Sequence, residues 1–92
     1  MEAINYIKSP STAYELLHPK RVRVLQLLDQ PRTCSYLANR LGMTSQKVYY
    51  HVKVLERHGL VRKVEERRVR AFVEGVYQAV AESYWLSPKL VR

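Results

Sequence analysis

Two amphipathic stretches separated by three residues occupy the middle of the sequence. In Cys34 to Leu41, the residues Cys34, Leu37, Ala38 and Leu41 recur at i, i+3, i+4 and i+7, which lines one side of a helix with apolar groups. In Ser45 to His58, Val48, Val52 and Leu55 form a second such stripe. Gly42 supplies a left-handed stop to the first helix, Met43 follows, and Thr44 can cap the second. Two helices joined by a turn of about three residues containing glycine have the spacing of a helix-turn-helix. Gly59 ends the second helix as Gly42 ends the first.

The flanks extend this core. Ser9-Pro10 opens a helix running to Leu17, with Ala13, Leu16 and Leu17 as its buried stripe. His18-Pro19 breaks it, and another helix runs from about Lys20 to Leu28, burying Val24, Leu25 and Leu28 while Arg21 and Arg23 point outward. Asp29-Gln30-Pro31 ends that helix, because the residue before proline avoids helical geometry. Residues 1–8 alternate weakly and suit either a short strand or a loose arm. After Gly59 the period shifts. Leu60, Val61 and Val64 read as a strand, and a β-hairpin follows with its tip within residues 66–74. Residues 76–86 fit both periods and are read as strand continuation, ended by Ser87-Pro88, with Lys89 to Arg92 a tail or the start of another element. The expected fold is mostly α with a small β-hairpin, a winged helix-turn-helix of three to four helices plus wing. Residues 1–92 are expected to form one domain, with a core at 10–75 and a wing extension, dimerisation or linker segment at 76–92.

The net charge of +8 favours a polyanionic partner. Residues 40–70 hold nine basic side chains against Glu56, Glu65 and Glu66, so +6 of that charge sits in a third of the chain. No apolar run is long enough to span a bilayer and the first residues do not read as a signal peptide, so nucleic acid is favoured over a membrane surface. A single cysteine excludes an internal disulfide, and the expected location is the cytoplasm.

With Val48, Val52 and Leu55 turned inward, the fourth helix leaves Ser45, Gln46, Tyr49, Tyr50 and Lys53 on one face. Gln46 can pair bidentately with adenine, Lys53 can reach phosphate or guanine, and Tyr49 and Tyr50 can bond phosphate or pack on thymine methyl groups. Thr44 and Ser45, at the helix N-terminus, can hold a phosphate through backbone N–H groups. Lys47 lies on the same half of the surface, and Arg67, Arg68 and Arg70 at the hairpin tip complete the candidate DNA-binding set.

The ordered set His18-Pro19 to Leu28, Leu37-Ala38 with Leu41-Gly42, Val48-Tyr49-Tyr50-His51-Val52 with Leu55, and Gly59-Leu60-Val61 resembles the winged-helix core of the arsenical-repressor (ArsR) family of transcription regulators. The likeness covers residues 13 to about 65. It implies a homodimer that binds a partly palindromic operator in double-stranded DNA, often repressing transcription, through a recognition helix at 45–57. Metal-sensing members carry a cysteine pair near the start of the third helix, whereas Thr33-Cys34-Ser35 has one thiol. No metal and no cofactor is therefore expected. Alternative uses of the same fold are a protein–protein interaction module or nonspecific nucleic-acid binding.

The remaining candidates have plain structural readings. Cys34 sits on an apolar stripe as a buried structural cysteine. His51 flanks the inner side of the fourth helix and is expected to pack or hydrogen-bond, and His18 and His58 sit at helix ends. No P-loop, glycine-rich phosphate motif, paired carboxylates or nucleophile–base pair is present, so no enzyme activity is expected. Apolar residues at both ends (Ile4, Tyr6, Ile7, Ala13 and Leu17; Val80, Tyr84, Trp85 and Leu86) suggest a dimer contact, being hard to bury in a chain this short.

Overall fold

The computed structural model describes residues 1–90. In chain order the elements are β1 (Glu2–Ile7), α1 (Pro10–Leu16), α2 (Pro19–Leu27), β2 (Arg32–Thr33), α3 (Cys34–Leu41), α4 (Ser45–Arg57), β3 (Val61–Val69), β4 (Phe72–Ala79) and β5 (Ala81–Leu86), closed by a 3-10 turn at Pro88–Leu90. The expected tail therefore begins as that turn, and residues 91–92 lie outside the described residues.

Every helix start is fixed by a side chain that takes up a backbone N–H left without an intrahelical partner. Ser9, His18, Thr33 and Thr44 accept from the amides of Thr12, Lys20, Tyr36 and Lys47 respectively. Pro10 and Pro19 follow their caps at the first helical position, where a missing N–H costs nothing. Gly42 and Gly59 adopt φ of +64° and +73°, so the two stops read from the sequence are left-handed.

The helices pack around Val24, Leu28, Leu37, Val48, Val52 and Leu55, all fully buried. Each such side chain contributes about 1.5–3 kcal/mol by leaving water. The buried side of α4 is broader than the stripe of Val48, Val52 and Leu55, because His51 and Val54 are also inside. Leu17, expected inside, is exposed. It is the C-terminal cap residue of α1, where the helix ends and the apolar period lapses.

The fold is a winged helix-turn-helix, but with much more strand than a small hairpin. The antiparallel hairpin β3–β4 pairs Val61 with Ala79 at its base and Val69 with Phe72 at its tip, with a register break between Lys63 and Glu65. β2 adds to the other edge of β4, giving the order β2-β4-β3. Residues 76–86 are strand, as read, but the chain breaks at Val80 and changes sheets. β5 leaves the wing and pairs parallel with β1, Tyr6 opposite Trp85. The undecided first residues are thus a strand whose partner lies at the other end of the chain. Tyr84 pins this second sheet to the core: its hydroxyl donates to Leu60 O at 2.6 Å and accepts from the amides of Val80 and Ala81 at 3.0 and 3.2 Å.

That pairing also changes the account of the apolar ends. Ile7 and Ala13 are buried within the monomer and Tyr84 is turned to the core. Ile4, Tyr6, Leu17, Trp85 and Leu86 remain exposed.

Candidate nucleic-acid interface

α4 is held from beneath by an apolar seam and a polar cluster. Arg21, read from the sequence as outward-facing, is buried. Its Nε donates to His51 Nδ1 at 3.2 Å, and its terminal nitrogen donates to the Glu15 backbone carbonyl and pairs with the Glu15 carboxylate. The helical period of α2 brings Arg21 to the α4 side, and the partner that makes an inward arginine tolerable, Glu15, lies on α1 across the break at His18-Pro19, where no helical spacing relates the two. His51 has the hydrogen-bonded structural role expected of it. As the acceptor at Nδ1 it is neutral, and burial, then the neighbouring Arg21, His18 and Lys20, hold it below the usual histidine range. His18 packs on His51 with ring centroids 5.1 Å apart, and the exposed Tyr50 ring meets His51 edge-on at 5.5 Å and lies 5.7 Å from the Arg21 guanidinium.

Above this support, Thr44, Ser45, Gln46, Lys47, Tyr49 and Tyr50 are exposed along the first half of α4. Lys53 departs from the expected arrangement. It is half-buried, its ammonium pairs with Glu56 at 2.5 Å and lies 5.7 Å from the Tyr49 ring centre, and the Glu56 carboxylate holds it above the usual lysine range. A paired cation costs more to redirect to phosphate than a free one. Arg57, exposed at the C-terminal end of the helix, was not singled out from the sequence, although it falls on the same face one turn beyond Lys53.

The wing residues are also arranged differently from a basic tip. The turn itself is Arg70-Ala71, whereas Arg67 and Arg68 lie in β3 and, as neighbours in a strand, point to opposite faces of the hairpin. Arg67 pairs with Glu65 at 3.1 Å and Lys63 with Glu66 at 3.1 Å. Among the described residues no ion pair involves Arg68 or Arg70. Arg70 adopts φ of +58° at the first position of a two-residue hairpin loop, a place that favours glycine. Beside the arginines, Val69, Phe72 and Val73 are exposed, with Phe72 at 74%. Periodicity had no means of placing these apolar groups at the tip without the turn position.

The wing and α4 are joined through α3. Ser35 Oγ donates to Glu74 Oε1 at 2.8 Å, and Cys34, Ser45, Gln46, Tyr49, Gly75 and Tyr77 line a cleft of about 350 Å³ between them. Gly75 leaves room for the Tyr77 ring, since a Cβ there would come within 2.9 Å of it. Burial pushes the Cys34 thiol up to about 11, and nearby Glu74 adds to that, so the free side chain is a thiol rather than a thiolate at neutral pH. Among the described residues no group of three or more His, Cys, Asp or Glu side chains could hold a metal ion. Among the described residues no helix is long and apolar enough to cross a membrane.

The family described as "Helix-turn-helix domain" matches residues 16–64, more than half of the chain. Among solved structures, the chain is similar to a Mycobacterium bovis fragment whose crystal structure is that of a possible transcriptional regulatory protein, with 26% identity over 77% of this chain and 72% of that one and a TM-score of 0.61. It is similar to the same degree, 26% over 77% of this chain with a TM-score of 0.60, to a solution structure from Mycobacterium bovis described as the homodimeric winged helix-turn-helix DNA-binding domain of a possible ArsR-family transcriptional regulator. The match spans 62% of that second chain. Comparison with curated proteins gives no match. The resemblance to ArsR-type regulators drawn from the sequence is borne out by the family match and the second of these structures.

Proposed function

The chain belongs to the helix-turn-helix domain family, and from that premise we propose that it is a sequence-specific transcription regulator that binds double-stranded DNA as a homodimer. In this reading residues 1–92 act as one DNA-binding unit, with 10–75 as its core and 76–92 as an extension. The observation that carries it is the exposed face of α4. Ser45, Gln46, Tyr49 and Tyr50 are open to solvent, and the helix's one acid, Glu56, is occupied by Lys53. A helix of this kind fits the major groove, where all four base pairs present distinct edges.

Gln46 reads an adenine edge, and the two tyrosines bond phosphate or pack on thymine methyl groups. The N-terminal amides at Thr44 and Ser45 and the Lys47 ammonium hold the backbone. Arg68 and Arg70 reach a neighbouring stretch of phosphates, while Arg67 and Lys53 act through their ion pairs and contribute less. The likeness to a homodimeric domain and the exposed Ile4, Tyr6, Leu17 and Trp85 support the dimer. A two-fold protein implies a partly palindromic site.

Selection of binding sites from random duplex DNA tests the proposal. The expected result is a palindromic motif with half-sites about one helical turn apart. Gln46→Ala is expected to relax preference at one base pair by about 1–3 kcal/mol. Lys47→Ala should weaken all duplexes alike and lower the salt slope by about one unit, with a smaller effect for Lys53→Ala. Uniform recovery of random sequence would leave nonspecific nucleic-acid binding. No duplex binding at about 0.1 M salt would leave a protein–protein role.

A further inference from the structure

The two sheets expose edges of opposite character. The outer edge of β3 carries Arg62, Lys63, Glu65, Glu66, Arg67 and Arg68 with a register break among them. Charges and bulges of that kind prevent another strand from adding. β1 pairs with β5 alone, and between Glu2 and Lys8 it reads Ala3, Ile4, Asn5, Tyr6, Ile7, without charge, proline or glycine. Ile7 O accepts from Ser87 N within the unbroken register of Ile4–Ile7, so the alternation of the strand turns the N–H and C=O of Ile4 and Tyr6 to the open edge. Ile4 and Tyr6, 38% and 57% exposed, share the outer face with Trp85, whose ring meets that of Tyr6 edge-on at 6.0 Å.

We propose that β1 pairs antiparallel with β1 of a second copy of this chain, about a two-fold axis at Asn5, so that the terminal sheets merge into four strands. The inference rests on the dimer proposed above and names its interface. The charges select the register. With Asn5 on the axis, Glu2 stands opposite the partner's Lys8 and Lys8 opposite the partner's Glu2, and Ile4 opposite the partner's Tyr6. The open backbone groups of Ile4 then meet those of the partner's Tyr6 in a hydrogen-bonded pair on either side of the axis. The aliphatic–aromatic pair across the new ladder adds to the sheet face. A slip of two residues sets Glu2 against the partner's Tyr6 or leaves it overhanging, and parallel pairing sets Glu2 beside the partner's Glu2. Both lose the two ion pairs.

Sedimentation of the full chain and of three charge variants tests this. Glu2→Lys and Lys8→Glu are each expected to raise the dimer dissociation constant on the order of tenfold, since each turns two attractions into two repulsions. The double variant Glu2→Lys/Lys8→Glu is expected to restore dimerisation to near its original strength. In a Cys34→Ala background, Asn5→Cys is expected to form a disulfide-linked dimer on mild oxidation, because residues facing each other across a non-hydrogen-bonded pair stand about 4.5 Å apart at Cα. A dimer indifferent to all three charge variants, with no cross-link at position 5, overturns the β1 pairing and leaves the dimer reading intact. A chain that stays monomeric at all concentrations, free and on DNA, overturns both.

Discussion

The wing and the terminal sheet are built from the same kind of backbone and solve opposite problems. The wing is a local hairpin: nine residues of β3 return through a two-residue turn into β4. Its outer half buries almost nothing, and β3 is laden with charge. The terminal sheet joins the two ends of the chain in parallel, its inner face is seated on the core through Ile7 and Tyr84, and apart from Glu2 and Glu82 its strands are uncharged. A hairpin needs little from the rest of the protein, because its closure entropy is small. A parallel pair between distant segments forms only once the domain between them has folded. The wing is therefore free to vary its surface for a ligand, and the terminal sheet depends on a few anchoring contacts.

The sharpest test of that difference is Tyr84→Phe. It removes one hydroxyl that serves Leu60 O and the amides of Val80 and Ala81, so stability by urea denaturation is expected to fall by about 2–3 kcal/mol. Phe72→Ala, at the exposed end of the wing, is expected to change stability by less than about 0.5 kcal/mol. Equal losses from the two would erase the distinction.

The reverse experiment removes charge from the wing. Arg68→Ala combined with Arg70→Ala should leave stability within about 0.5 kcal/mol while lowering the slope of log affinity against log salt for duplex DNA by about two units. An unchanged slope would remove the wing from the interface.

Acid titration separates both sheets from the helices, since none of the strands contains a histidine. His51 is held below its ordinary value of 6.5 in the folded chain, so the unfolded chain takes up a proton first. Stability that is complete above about pH 6.5 is lost as the pH falls through the lowered value. Melting temperatures measured from pH 7.5 to 5 should decline, and His51→Gln, which keeps an acceptor for Arg21, should flatten the decline. The remaining test belongs to the turn. Arg70→Gly relieves a positive φ and is expected to raise stability by about 0.5–1 kcal/mol, while removing the phosphate contact proposed for it.

The helices and their ends were legible because their signals are local. Ser9, Thr33 and Thr44 cap where a side-chain oxygen precedes an apolar period, Gly42 and Gly59 stop helices where a left-handed residue is needed, and Val48, Val52 and Leu55 recur at helical spacing. The polar face of α4 follows from the same period. The inward turn of Arg21, the diversion of Lys53 to Glu56 and the burial of Tyr84 were not legible, because each depends on what stands opposite.

What the order of residues settled is the set of helices, their ends, and the face that α4 presents, since 3.6-residue periodicity and capping act over a few residues. What the folded chain alone decided is the company each charged or apolar group keeps. Glu15 and His51 make a buried Arg21 tolerable, and β5 makes a strand of the first residues. Tertiary contacts join residues with no spacing rule between them, and the balance of desolvation against a partner's charge or hydroxyl is settled only when the partner arrives.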